Sequence, residues 1–190
     1  MKTLLPLVLL CLGSTLLAQT TGDISDRWAT LNDVQATIAW ERLMKVTSGE
    51  TVNDAQSNLR SKGLSAEGAK ALVSFRGRAV AELDRVGRQF HVDVCNKRNQ
   101  IRKSGNAETV ARMVEETIQQ ENDARRRLLA EADSLLDRPD QERLDTLYSS
   151  EYGPRVKIID TGVAEEVRTG VISVEQVIEA ACDISRQTGD

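Results

Sequence analysis

The sequence predicts an all-α protein built on a long antiparallel helical hairpin, about residues 65–103 and 107–136, with about four shorter helices packed on it. Three observations predict this. Apolar residues recur at three- and four-residue intervals instead of alternating, which is the stripe of amphipathic helices. Only three prolines interrupt the 190 residues, and charged side chains make up 28% of them. Finally, Ser104-Gly105-Asn106 is the only break between two long stripes, and a connection that short forces its arms antiparallel.

Met1 to Ala18 has the layout of an export signal. Lys2 gives a positive start, Leu4 to Leu17 is an apolar run, and Leu16-Leu17-Ala18 ends it on a small residue. The run is shorter than the roughly 20 apolar residues of a membrane span. A second reading is a lipoprotein anchored through Cys11. Val8-Leu9-Leu10-Cys11 resembles a lipobox, but bulky Leu10 stands where a small residue belongs. Simple cleavage is preferred, leaving residues 19–190 as one helical domain with no later membrane-spanning segment.

Asp23 to Val46 reads as a first helix, with Ile24, Trp28, Leu31 and Ile38 along one face. Trp28 and Trp40 fall on different faces, which suits a junction between helices better than a ligand platform. A short helix from about Val52 to Lys62 follows and stops at Gly63.

The first hairpin arm carries Leu72, Ala79, Leu83, Val86, Phe90, Val94 and Ile101 on its stripe. Ser65 suits its N-cap, and Gly105 the left-handed position after its end. Asn106 caps the second arm, whose stripe runs through Val110, Val114, Ile118, Ala124, Leu128 and Leu135. Residues 65–105 hold nine basic and four acidic side chains, while residues 106–138 hold five and eight. Opposite net charges of plus five and minus three favour this pairing of arms over a nucleic-acid footprint. Gly77 and Gly87, inside the first arm, read as places where helices pack closely. Arg125-Arg126-Arg127 spreads round the second arm as a solvated patch.

Pro139 suits the first turn of the next helix, which ends at Gly153-Pro154. Residues 155–160 are either extended or part of a helix carrying Val156, Ile159, Val163 and Val167. Ser173-Val174-Glu175-Gln176 is a capping box opening a last helix, with Val174, Val177, Ile178, Ala181 and Cys182 inward. From Pro139 onward, five basic and eleven acidic residues favour contact with the basic arm. Pro139-Asp140-Gln141-Glu142-Arg143-Leu144-Asp145 resembles the helix-start motif of small periplasmic stress chaperones of the Spy type. The resemblance spans seven residues, Asp137-Arg138 replaces the usual Leu-Thr lead-in, and no second copy occurs. It therefore implies no function for this chain.

Loss of the leader removes Cys11 and leaves Cys95 and Cys182. An even pair beyond the cytoplasm reads as a disulfide. The alternative makes His91, the only histidine, and Cys95 a soft-metal pair, since four-residue spacing puts them on one helical face. One imidazole and two oxidisable thiols fall short of a structural metal set. Arg88, Arg98 and Arg102 share the face of His91 and oppose a cation.

No catalytic constellation is present: the single histidine has no nucleophile motif beside it, and no phosphate loop or cofactor motif occurs. Glu115/Glu116 and Glu165/Glu166 are sequence neighbours that diverge on a helix. The acidic balance and 3% aromatic content disfavour nucleic acid as a partner. The function expected from the sequence is an exported, non-enzymatic helical protein that binds another protein or serves the cell envelope. The alternative is a small-ligand or soft-metal binder using His91 and Cys95.

Overall fold

The computed structural model describes residues 28–150 and 162–188. Its secondary structure is entirely helical there, in the order α1 (Asp33–Val46), α2 (Val52–Ser61), α3 (Ala66–Ser104), α4 (Ala107–Ser134), α5 (Arg138–Ser150), α6 (Gly162–Arg168) and α7 (Val174–Thr188). The expected leader, its cleavage point and residues 155–160 lie outside the described residues.

Local chemistry sets most helix ends. Ser65 Oγ accepts from Gly68 N, which caps α3. Gly105 then takes φ +58°, and its amide donates to the Ile101 carbonyl. That left-handed conformation costs glycine little because it has no Cβ. Asn106 Oδ1 accepts from the amides of Glu108 and Thr109 and starts α4 immediately. The Ser173–Gln176 capping box also forms, with bonds of 3.2 Å and 2.8 Å.

The first helix differs from the expected Asp23–Val46. Trp28 and Ala29 are helical, but the helix that runs to Val46 begins anew at Asp33, because Asn32 adopts an extended backbone and forms a capping box with Gln35. The break also explains the tryptophans. Trp28 precedes it and Trp40 follows it, yet both are buried in one core, with Trp28 Nε1 donating to Asp133 Oδ2 at 3.1 Å. Both therefore pack at a junction between helices.

Two apolar clusters lie along α3 and α4. The first gathers Leu43, Leu59, Leu72, Phe75, Leu129 and Leu144 from α1 to α5. The second gathers Val94, Ile101, Val110, Val167, Ile178 and Cys182 from α3, α4, α6 and α7. Burying such a side chain contributes about 1.5–3 kcal/mol. Among the described helix pairs the most extensive packing is of α7 on α3, followed by α3 on α4 and then α6 on α4. Ion pairs also join α3 to α4, Arg78–Glu131 at 2.7 Å and Arg127–Glu82.

Of the arginine run expected as a solvated patch, Arg127 is exposed, whereas Arg125 and Arg126 are largely covered. Arg125 pairs with Glu121, Arg126 with Asp33 and Asp123, and Arg127 with Glu82. Pointing in three directions round the helix, each guanidinium meets a different neighbour. The interior glycines also differ from expectation. A Cβ at Gly77 would meet nothing, and one at Gly87 would meet only Glu121 Oε1, at 3.4 Å. Within α3 a close approach occurs instead at Gly68, whose missing Cβ leaves room for the Asp140 carboxylate. Asp140, in the first turn of α5, is buried and accepts from Ser65 N at 2.8 Å and Ser65 Oγ at 2.5 Å. One carboxylate thus ties the start of α5 to the start of α3.

Candidate functional site: the cleft between the two clusters

Between the two clusters the contact of α3 with α4 turns polar. On α3, Leu83, Asp84, Gly87, Arg88 and His91 share one side at four-residue spacing. Glu121 and Arg125 face them from α4, and Ile184 of α7 closes one edge. These residues line an open cleft of about 380 Å³. Gly87 keeps the wall low, because it presents no side chain where Glu121 crosses.

The floor is held by a hydrogen-bonded set. Arg125 Nη2 donates to Glu121 Oε2 at 2.9 Å, and its Nη1 donates to Asn122 Oδ1 at 2.7 Å. Asn122 is buried and also accepts from Thr37 Oγ1 of α1. Among the described residues two enclosed nitrogens of the cleft-lining side chains have no hydrogen-bond partner, Nδ1 of His91 and Nε of Arg125. Such an atom costs about 1–3 kcal/mol, so two of them on residues lining one cleft set it apart from an ordinary satisfied helix contact. Burial holds the His91 pKa below its usual value, partly opposed by the nearby Glu121 carboxylate.

That shift has a measurable consequence. The folded imidazole resists protonation more than the unfolded one does, so its contribution is intact above the ordinary histidine pKa of about 6.5. It is then lost as pH falls from there through the lower folded value. Ring-proton NMR should therefore show the single histidine titrating below about 6.5. Stability lost in that window by the native chain should be retained by His91→Gln.

Of the residues singled out in sequence, Cys95 and Cys182 are joined as a disulfide, with their Cα atoms 4.9 Å apart. The bond fastens α7 to α3 one turn beyond His91. Its sulfur being bonded, Cys95 offers no thiolate beside the imidazole. Among the described residues no three His, Cys, Asp or Glu side chains gather as a metal set. The arginines placed on the His91 face separate. Arg88 lines the cleft, Arg98 turns to the Cys95 carbonyl at 2.9 Å, and Arg102 reaches Glu175 on α7.

Sequence reasoning missed a carboxylate cluster at the α4–α6 contact. Arg168 meets Glu108 and Glu115 at 2.8 Å each, with Glu165 at 3.7 Å. Its hydrogen bonds hold the Glu108 and Glu115 carboxyls below the usual range. A general acid needs the opposite shift, so this is an ionic tie between helices. No pattern in the sequence links Arg168 to Glu108 and Glu115, which precede it by 60 and 53 residues. Among the described residues no helix is long and apolar enough to cross a membrane. Compared with models of protein families, with curated proteins and with solved structures, the chain matches none.

Proposed function

We propose that the chain is an exported, non-enzymatic helical protein whose work is binding, as a protein-binding or cell-envelope accessory factor. Its frame is the antiparallel hairpin of α3 and α4, on which the shorter helices pack. In support of that frame, Arg78–Glu131 and Arg127–Glu82 step in opposite directions along the two helices. The observation that carries the reading is the Cys95–Cys182 bond, because persistent structural disulfides belong to oxidising compartments. The apolar start of the sequence is then a leader removed near Ala18.

Fusing residues 1–25 to a reporter active only beyond the cytoplasm tests export. Activity is expected, with the mature chain beginning near Gln19. An inactive fusion, a mature chain that keeps Met1, or lipid on Cys11 would each contradict simple secretion. A second reading, a small-ligand binder, is favoured by the cleft and its unpartnered nitrogens.

A further inference from the structure

The cleft lining carries two charges that the fold leaves unspent. Arg88 and Asp84 both face it, and among the described residues neither makes an ion pair or hydrogen bond. They sit one helical turn apart, roughly 5–6 Å between Cβ atoms, in a register that could pair them with each other, yet they stay apart. The remaining charges, Arg125 and Glu121, neutralise one another. Leu83 and Ile184 supply apolar walls at the rim. A pure anion would meet Arg88 but be repelled by Asp84, and a pure cation would meet the reverse. Opposite, unpaired charges beside apolar side chains select a molecule bearing both signs.

We propose that this cleft binds a small zwitterion of the α-amino-acid type. Its carboxylate lies on the Arg88 guanidinium, its ammonium group on the Asp84 carboxylate, and its apolar side chain against Leu83 and Ile184. A volume of about 380 Å³ lies within the roughly 300–1,000 Å³ of small-molecule sites. His91 also lines the cleft, with a ring nitrogen that lacks a partner among the described residues. This inference rests on the small-ligand reading of the cleft and stands apart from the protein-binding reading and from export.

The test uses the full oxidised chain and the ring signals of His91, which assign themselves because it is the only histidine. Three probes are titrated: L-leucine, N-acetyl-L-leucine, which lacks the ammonium, and L-leucinamide, which lacks the carboxylate. Leucine should shift the His91 signals saturably, and each blocked analogue should bind about tenfold more weakly or worse, as expected for loss of one charge-assisted contact. Arg88→Gln and Asp84→Asn should each weaken leucine binding comparably. Both residues are exposed, so the thermal midpoint should hold. Arg85→Gln, outside the cleft, should leave binding unchanged. No saturable shift with leucine would overturn the proposal. So would analogues that bind as well as leucine, or insensitivity to both cleft variants.

Discussion

Cys95→Ser is expected to destabilise the oxidised protein by about 2–5 kcal/mol, the usual cost of losing a native disulfide. The bond closes 87 residues of sequence, so its removal restores much freedom to the unfolded chain. It also unfastens α7, whose other ties to α3 include the second apolar cluster and the exposed Arg102–Glu175 pair. That ion pair adds only about 0–1 kcal/mol. Urea unfolding of Cys95→Ser, Cys182→Ser and the double variant checks the account. The double variant should lie close to either single one, because all three remove the same bond. Additive losses would mean that the sulfurs act separately.

A second large effect is expected at Gly68, where alanine should cost about 2–4 kcal/mol in spite of its better helix propensity. Alanine ordinarily stabilises a helix relative to glycine by about 1 kcal/mol. Here its methyl would overlap the buried Asp140 carboxylate and push it off Ser65. Two hydrogen bonds to a charged acceptor are then lost together, each a net contribution of about 1.5–3 kcal/mol at most. Asp140→Ala should destabilise comparably by deleting the acceptor. Once Asp140 is absent, adding Gly68→Ala should cost nothing further, a strong coupling measurable in a double-mutant cycle. Stabilisation by Gly68→Ala in the native background would contradict this geometry.

The sequence disclosed what depends on neighbours close along the chain. Ser65, Gly105, Asn106 and the Ser173–Gln176 box act within a turn or two, and each caps its helix as its chemistry suggests. The stripes of α3 and α4 likewise foretell residues that prove buried, such as Leu72, Val94, Ile101 and Val114. Hidden features depend on partners far apart in sequence. The Asp140–Ser65 link spans 75 residues, and the Arg126 contacts with Leu31 and Asp33 span more than 90. Asn32 was legible in principle, since Asn32 and Gln35 have capping-box spacing, but an unbroken apolar stripe masked it. The cleft was hidden for another reason. It is assembled from three helices around a glycine and unspent charges, and none of these departs from an ordinary solvated face when read along one helix. His91 was visible only as a lone histidine near Cys95, whereas its present neighbours include Glu121 and Ile184.

Mass mapping of the non-reduced protein, taken from the cells that make it, should find a chain that begins near Gln19, has no free thiol, and yields one peptide pair joined through Cys95 and Cys182. A chain that keeps Met1 and carries two freely titrating thiols at Cys95 and Cys182 would contradict export and the disulfide alike.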